Sequence, residues 1–489
     1  MLPQIRKVGI GLLALLLAVF FQLNYLQIFA AERIASNNAN VRSLLLQYSI
    51  KRGTITTVDG VPVAVSKRTG GRLKYLRTYP EGELYGHITG FYSIVYGASR
   101  IEASFNDQLL GETGVVSMQD IEDRFLGGGK QGDNVLLTIQ SRLQETARAA
   151  LGERVGAVVA LDPGTGEVRA MWSNPSYDPG PLASHTGKES RAYRATLDPD
   201  SPDSPLVSLA TNRSFPPGST VKVITAAAAL ESGRYTPTST FPDPVELELP
   251  LTDETLTNFS KTACAGGGEI DLFFALEISC DTTFARLGLE IPDEVRETAE
   301  SMGFNEPIPF DVGTEASTFP EVPDDEEPLR AYAAIGQGDV SGTPLQMALV
   351  AAAVANGGEV PRPRLVREVI DPSGGLSESF GPETLGRAMS ADTAAEVTRM
   401  MEAVVASGTG TAAQMPGVGV AAKTGTAQSV PGAAPHAWFI AFAPAANPQL
   451  AVAVFVANGG GAGSEATGGA VAGPIARQML ETDREIRGW

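Results

Sequence analysis

The sequence predicts an α+β fold in which helices cover an antiparallel β-sheet. Three features support this prediction: an apolar hairpin over residues 157–172, a helical middle, and apolar strands that precede a terminal helix. Apolar runs bounded by glycine and proline turns are typical of buried strands, while long alanine-rich runs favour helices. Because helices separate the hairpin from the late strands, the pattern indicates one sheet with helices packed against it.

Each element has its own local signal. Residues 157–162 and 167–172 form the hairpin around a Pro-Gly-Thr-Gly turn, and the polar, proline-bearing stretch 180–212 predicts a long loop. Ser390 is the expected N-cap of a helix over 391–407. The other helices are predicted within 219–230, 292–303 and 327–357, and the late strands at 418–422, 438–442 and 450–456.

The N-terminus carries a candidate membrane span. Residues 8–31 contain no charged side chain, and this run is long enough to cross a bilayer. Arg6 and Lys7 precede this run, so the positive-inside rule predicts a cytoplasmic N-terminus. A cleaved signal peptide is the alternative, but the apolar run is too long and ends without a cleavage-site pattern. We therefore expect a single-pass protein of the cell membrane with the remaining chain on the extracytoplasmic face.

Composition limits the remaining classes of function. The 489 residues suffice for several domains, and a formal net charge of −19 argues against nucleic acid as a partner. Two cysteines and three scattered histidines give no metal-ligand cluster, and no cofactor is predicted. In an oxidising compartment Cys264 and Cys280 are expected to form a disulfide, the alternative being two buried free thiols.

The stretch Phe215–Leu230 contains the strongest candidate for covalent chemistry. Its Pro-Pro-Gly segment is a turn signal and an alanine-rich run follows, so Ser219 is expected at or near the first turn of a helix. Lys222 lies three residues later on the same face, close enough for the two side chains to meet. A lysine with a lowered pKa can take the proton of a serine nucleophile. Alone, Ser-x-x-Lys is weak evidence, since most copies lie on solvated helix faces.

Two further short motifs lie downstream. Lys423-Thr424-Gly425 follows an apolar strand, where it can bind an extended peptide as an added strand and attract a carboxylate. Ser279-Cys280-Asp281 places a hydroxyl and a carboxylate two residues apart. Each motif taken alone is more often solvated surface or a helix cap. Their order and their separations of roughly 60 and 140 residues make a common site the better interpretation.

Together the three motifs resemble the set found in penicillin-binding proteins and serine β-lactamases. The resemblance covers nearly the whole chain after the predicted anchor and is strongest with the class B penicillin-binding proteins. It is carried outside the motifs by residues 52–55, 156–179, 335–338, 343–347 and 436–439. It implies three parts: a cytoplasmic tip and membrane anchor at 1–31, a non-catalytic, dimerisation- or pedestal-like mixed domain at 32–150, and a transpeptidase domain at 151–489.

The resemblance also implies an activity. A D,D-transpeptidase cross-links peptidoglycan stem peptides that end in D-Ala-D-Ala, and β-lactams acylate it. Ser219 is then the nucleophile, Lys222 the base and Ser279 the relay of a proton to the leaving amine. Cell-wall synthesis and division are the implied processes, with cell-wall and divisome proteins as partners.

Substrate binding is implied for the third motif. Lys423, Thr424 and Thr426 are expected to hold the terminal carboxylate of the substrate, while Gly425 leaves room for close approach of the backbone. The backbone N–H groups of Ser219 and Thr426 are expected to form the oxyanion hole.

The second motif departs from the family pattern, which usually ends in asparagine. An ionised aspartate only accepts hydrogen bonds, so Asp281 is expected to pair with Lys222 and favour its protonated form. This leaves the substrate-binding role of Asp281 open. Two alternatives to the transpeptidase stay open as well: a D,D-carboxypeptidase or β-lactam hydrolase, and a non-catalytic divisome scaffold.

Overall fold

The computed structural model describes residues 2–25, 45–112, 130–428, 434–462 and 466–489. Within these residues no helix combines the length and the apolar character that crossing a membrane requires. The α-helices, in chain order, are α1 (Leu2–Asn24), α2 (Gly86–Thr89), α3 (Arg100–Ser104), α4 (Asn106–Leu109), α5 (Ser141–Leu151), α6 (Gly187–Thr196), α7 (Lys222–Glu231), α8 (Leu272–Glu277), α9 (Asp281–Glu290), α10 (Pro292–Ser301), α11 (Pro328–Ala333), α12 (Pro344–Ala355), α13 (Ala391–Ala406), α14 (Gly468–Val471) and α15 (Gly473–Arg487).

The strands of the described residues are between two and eight residues long, and the longest is β18. They are β1 (Ile55–Thr56), β2 (Pro62–Arg68), β3 (Tyr75–Thr78), β4 (Tyr92–Ser93), β5 (Gly97–Ala98), β6 (Asn134–Leu137), β7 (Gly156–Leu161), β8 (Val168–Asn174), β9 (Thr240–Pro242), β10 (Glu246–Glu248), β11 (Thr255–Thr257), β12 (Glu269–Asp271), β13 (Glu359–Pro361), β14 (Val366–Ile370), β15 (Leu376–Ser379), β16 (Thr384–Arg387), β17 (Ala421–Ala427), β18 (His436–Ala443) and β19 (Leu450–Val456).

The main sheet has five strands in the order β17-β18-β19-β7-β8, and every pair is antiparallel. All residues of β18 and β19 are buried, which explains their unbroken apolar sequences: both faces of these strands are covered. Helices α12 and α15 pack on β19, while α13 packs on β17. The predicted antiparallel sheet with helices packed against it is therefore confirmed.

A second sheet lies in the N-terminal part. Its six strands run β15-β14-β6-β1-β2-β3, with β1 and β6 parallel and the other pairs antiparallel. Strand β14 belongs to the predicted catalytic part of the chain, yet it pairs with β6 of the predicted N-terminal part. The two parts thus share one sheet, and Val366 is paired with Leu137 across it.

Most elements predicted in the catalytic part are present. The hairpin is β7 and β8, and the Ser390 hydroxyl accepts a hydrogen bond from the backbone N–H of Thr393 at the start of α13. The prediction of one long loop over 180–212 is wrong, because α6 lies inside it. This helix buries only Ser190, so it lacks the apolar stripe from which helices are recognised.

Candidate active site

Ser219 lies in a 3₁₀ turn, Gly218–Val221, which we call the serine turn, and α7 begins directly after it at Lys222. The prediction that Ser219 lies at or near the first turn of a helix is therefore confirmed, and the structure adds that this turn is 3₁₀. Gly218 has φ of 54°, a left-handed conformation that suits glycine, and its N–H donates to the carbonyl of Gly336 at 2.9 Å. These constraints fix a tight turn at the point where the chain enters α7.

Strand β17 passes directly against the serine turn. A Cβ atom on Gly425 would lie 2.7 Å from the carbonyl oxygen of Pro217 and 2.9 Å from Cγ2 of Thr220. Only glycine allows this approach, which explains the third residue of the Lys-Thr-Gly motif. On β18, the indole N–H of Trp438 donates to the carbonyl of Pro216 at 2.9 Å and fixes the same segment.

The second motif joins the first and the third. Lys222 Nζ donates to the carbonyl of Ser279 at 2.8 Å and to Asp281 Oδ1 at 2.6 Å. Lys423 Nζ lies 2.8 Å from the hydroxyl oxygen of Ser279, which is also 3.4 Å from Lys222 Nζ. The Ser279 hydroxyl therefore lies between two lysines. The predicted pairing of Asp281 with Lys222 is confirmed.

Both lysines are completely buried. Burial lowers the pKa of Lys222 below its usual range, and the Asp281 carboxylate opposes this shift. Burial also lowers the pKa of Lys423 well below its usual range, and the neighbouring positive charge of Lys222 adds to that effect. A lowered pKa raises the fraction of the amine that is neutral at a given pH, and a general base must be neutral to accept a proton.

A cleft of about 1080 Å³ opens over these residues, and Ser219, Ser279 and Asp281 line it. One side, which we call the sheet wall, comprises Thr409, Thr424, Thr426 and Thr467–Gly469. The other side, the loop wall, comprises Thr255–Phe259, Lys261, Leu329 and Tyr332. Lys222 and Lys423 lie beneath this surface. A ligand in the cleft therefore contacts the serine and threonine side chains that line it, and not the lysines.

Hydrogen bonds orient the hydroxyl groups of the sheet wall. Thr424 Oγ1 lies 2.7 Å from Thr409 Oγ1, and Thr426 Oγ1 accepts from the N–H of Gly468 at 3.3 Å. Thr409 and Gly468 were not predicted as site residues. Thr409 follows α13 between two glycines, and Gly468 is the first residue of α14 in a glycine-rich stretch; both signals are too common in this chain to single these residues out.

Two more residues that sequence analysis missed hold the second motif. The side-chain oxygen of Asn258 accepts from the backbone N–H groups of Asp281 and Thr282, both at 3.0 Å, and so caps α9 from a distant loop. Asp281 Oδ2 accepts from the N–H of Phe259 at 3.0 Å. The residue at the N-cap position itself, Cys280, makes no side-chain capping bond. A cap supplied from 23 residues upstream leaves no local sequence pattern.

The predicted disulfide is confirmed: Cys264 is bonded to Cys280, with a Cα–Cα distance of 5.8 Å. The loop on the Cys264 side is held independently by the buried carboxylate of Asp243. This carboxylate accepts backbone N–H bonds from Cys264 at 2.8 Å, Ala265 at 2.6 Å and Gly267 at 3.0 Å. The second motif is thus tied to a well-anchored loop.

A serine at the start of a helix, with buried lysines meeting at a second serine beside a sheet edge, is the arrangement of an acyl-transferring serine enzyme. The family model described as "Penicillin binding protein transpeptidase domain" matches residues 156–481, and the model "Penicillin binding protein A dimerisation domain" matches residues 52–135. The chain therefore belongs to the penicillin-binding protein family that carries this transpeptidase domain.

Similarity to individual members extends over nearly the full length. Peptidoglycan D,D-transpeptidase PbpA of Mycolicibacterium smegmatis is 39% identical over 489 residues, 98% of both chains. The ceftriaxone acyl-enzyme complex of penicillin-binding protein A from M. tuberculosis has a TM-score of 0.85 and 38% identity, over 90% of this chain and 99% of that one. The expected resemblance to class B penicillin-binding proteins, and among them to actinobacterial penicillin-binding protein A, is confirmed.

Proposed function

We propose that this protein is a serine-type peptidoglycan D,D-transpeptidase that cross-links stem peptides through an acyl-enzyme on Ser219. One observation carries the proposal: the Ser279 hydroxyl lies between the buried amines of Lys222 and Lys423, beside the turn that bears Ser219. Such a chain of groups can move a proton between a nucleophile and a leaving amine. The PbpA relatives, named as D,D-transpeptidases, and the β-lactam acyl-enzyme complexes of similar structures support this assignment.

Acylation begins when neutral Lys222 accepts the hydroxyl proton of Ser219. The serine oxygen attacks the carbonyl carbon of the penultimate D-alanine, and the resulting oxyanion is stabilised by the N–H groups of Ser219 and Thr426. Removing one such donor typically costs about 3–4 kcal/mol of transition-state stabilisation. The proton then passes through Ser279 to the amine of the departing D-alanine as the peptide C–N bond breaks. A second stem's amine attacks the ester by the reverse proton path, which forms the cross-link.

The substrate carboxylate binds on the sheet wall. Thr424 and Thr426 present hydroxyl donors to the cleft, and Gly425 lets the backbone of β17 come close to the ligand. Lys423 contributes positive charge from beneath, because its Nζ is buried and bonded to Ser279 Oγ and to the Thr424 carbonyl. β-Lactams carry a carboxylate next to a strained amide, so they occupy the same positions and acylate Ser219.

Asp281 acts in this scheme as a positioning residue with a secondary part in substrate binding. It lines the cleft, yet one carboxylate oxygen is bonded to Lys222 and the other to the N–H of Phe259. Its first task is therefore to hold the base in place. Its charge keeps more of Lys222 protonated than an asparagine in the same position.

Location is the second part of the proposal. We propose that residues 8–31 anchor the protein in the cell membrane, with the N-terminus in the cytoplasm and the catalytic part outside. The uncharged run of this segment and the exposed apolar side chains along α1 support it. Nascent peptidoglycan and cell-wall or divisome proteins are the partners that such a location offers, with roles in cell shape and division.

The direct test uses the full chain in detergent with lipid-linked stem peptides and an amine acceptor. Mass spectrometry of the products distinguishes cross-linked dimers from D-alanine released by hydrolysis alone. We expect dimers with the wild type and none with Ser219→Ala, which should keep its circular dichroism spectrum. Hydrolysis without dimers would favour a carboxypeptidase, and a penicilloyl adduct on Ser219→Ala would refute the assignment of the nucleophile.

A further inference from the structure

The loop wall carries an exposed aromatic ring and an exposed cation that the proposed chemistry does not use. The Phe259 side chain is 66% exposed at the cleft, although the backbone of this residue is bonded to Asp281. Lys261 lines the same wall and is exposed to solvent. The Phe259 ring is therefore accessible to a ligand that occupies the cleft.

The conformation of this loop is fixed in spite of its exposure. Lys261 has φ of 56°, which is uncommon for a residue with a side chain, and its N–H donates to the Asn258 carbonyl at 2.9 Å. The Asn258 side-chain amide donates to the carbonyl of Thr262 at 3.0 Å, so one buried residue closes the turn from both sides. A lysine held in a left-handed turn on the rim of a cleft points to a ligand contact.

Electrostatics single out Lys261. Among the described residues that line the cleft, Lys261 and Asp281 are the charged ones, and Asp281 is already paired with Lys222. No carboxylate of the described part of the chain lies within ion-pair distance of Lys261. In a protein with a net charge of −19, this unpaired cation marks the place on the loop wall where an anionic group is stabilised.

Helix α11 adds apolar surface to the loop wall. Leu329 is 37% exposed, and it lines the cleft together with the half-buried Tyr332. Phe259, Leu329 and Tyr332 thus offer apolar surface in the same cleft that Lys261 lines. This combination fits an aliphatic or aromatic group that bears a carboxylate.

The two walls meet at the second motif, because Lys423 of β17 is bonded to Ser279 and Phe259 of the loop is bonded to Asp281. A ligand whose terminal carboxylate is held at Thr424 and Thr426 has its reactive carbonyl at Ser219. The rest of the acyl group is then free to reach the loop wall. We propose that residues 258–262 with α11 form a subsite for the acyl side of the ligand, and that it prefers an apolar group carrying a second carboxylate.

This inference rests on the proposed function, since it concerns the acyl donor of that same site. Its test uses four penicillins that share one nucleus: benzylpenicillin with a neutral side chain, carbenicillin with an added α-carboxylate, ampicillin with an α-ammonium, and 6-aminopenicillanic acid without an acyl side chain. The measurement is the second-order rate constant of acylation of the full chain in detergent. We expect the wild type to favour carbenicillin over ampicillin.

The charge is tested with Lys261→Glu. We expect the carbenicillin rate to fall by about fivefold and the ampicillin rate to rise, while benzylpenicillin changes by less than about twofold. Lys188→Glu on α6 is the matched control, because it makes the same change in net charge at an exposed lysine outside the cleft. Equal responses of the three penicillins to Lys261→Glu, or the same response to Lys188→Glu, would overturn the charge assignment.

The apolar surface is tested with Phe259→Ala. We expect the three penicillins with phenyl groups to lose about threefold or more in rate, while 6-aminopenicillanic acid is unchanged. An equal loss for 6-aminopenicillanic acid would mean that Phe259 only supports Asp281, and no loss at all would remove Phe259 from the subsite. If no penicillin acylates the wild type, the proposed function itself fails; if all do and the variants do not discriminate, only the subsite fails.

Discussion

The two walls of the cleft are held in place by different means. The sheet wall is continuous with the interior: β17 is buried except at Thr426, and Gly425 packs against the serine turn without room for a side chain. The loop wall is held by separate bonds, from Asn258, Asp281 and the disulfide, while Phe259 remains exposed. The difference indicates that the buried lysines are positioned by the rigid interior, whereas ligand preference can vary on the loop without disturbing the core.

The largest effect on the acylation rate is expected in the buried interior of the site, at Lys222 of α7. Lys222→Met keeps most of the buried volume but removes the amine, so the proton of Ser219 has no acceptor. We expect the rate of acylation by benzylpenicillin to fall by at least about a thousandfold, because groups that act as a unit lose activity together. Stopped-flow fluorescence or gel-based detection of a labelled penicillin measures it. A variant that retains a tenth of the wild-type rate would show that another group serves as the base.

A smaller but still large effect is expected at Lys423. Its Nζ is bonded to the Ser279 hydroxyl, so Lys423→Met should both misorient Ser279 and remove the positive charge beneath Thr424. We expect acylation to fall by about one to two orders of magnitude, because a buried charged hydrogen bond is lost.

The carboxylate role of Lys423 can be separated from its role at Ser279. A penicillin whose C3 carboxylate is esterified should lose less rate than benzylpenicillin on Lys423→Met. If the acid and the ester lose the same factor in acylation rate, Lys423 acts only through its contact with Ser279 and does not hold the carboxylate.

Asp281 connects the loop wall to the proposed base Lys222, and Asp281→Asn tests this connection. Acylation needs neutral Lys222, so the rate rises as pH rises through the pKa of this lysine. The Asp281 carboxylate raises that pKa against the effect of burial. Its replacement by a neutral amide therefore lowers the pKa of Lys222, and the acid limb of the pH–rate profile should move to lower pH.

Asp243→Asn is the matched control for this change. The Asp243 carboxylate holds residues 264–267 by accepting hydrogen bonds from the backbone N–H groups of Cys264, Ala265 and Gly267. We expect this variant to lose stability without any movement of the acid limb. An acid limb that stays in place in Asp281→Asn, or moves to higher pH, would show that Asp281 does not set the protonation of Lys222.

The same contrast explains what the sequence could predict. The sheet wall was predictable because β7, β18 and β19 are almost entirely apolar, and because its chemistry lies in the short motif on β17. The loop wall was not: Asn258 caps α9 from 23 residues away, and Phe259 reaches Asp281 through its backbone N–H, which any residue possesses. Helix α6 was not predicted for a related reason: its sequence is polar, and Ser190 is its one buried residue. Contacts made by backbone groups and by isolated polar side chains leave no periodic pattern.

The smallest effect on rate is expected from the Cys264–Cys280 disulfide. In the chain-entropy model, a bond that closes a loop of 16 residues contributes about 3 kcal/mol to the free energy of unfolding. The double variant Cys264→Ala/Cys280→Ala should therefore unfold at a lower temperature than the wild type.

Its effect on acylation should be only a few-fold, because Asp243 and Asn258 continue to hold the loop when the bond is absent. Cys280 lies between Ser279 and Asp281, so a looser loop still allows these side chains to drift from the two lysines. Stopped-flow acylation of the variant and of the reduced wild type, at a temperature where circular dichroism shows no unfolding, measures this drift. Rates equal to those of the oxidised wild type would make the disulfide a stabilising cross-link with no part in the site. A loss as large as that of Lys423→Met would mean that the loop wall depends on the disulfide far more than on its hydrogen bonds.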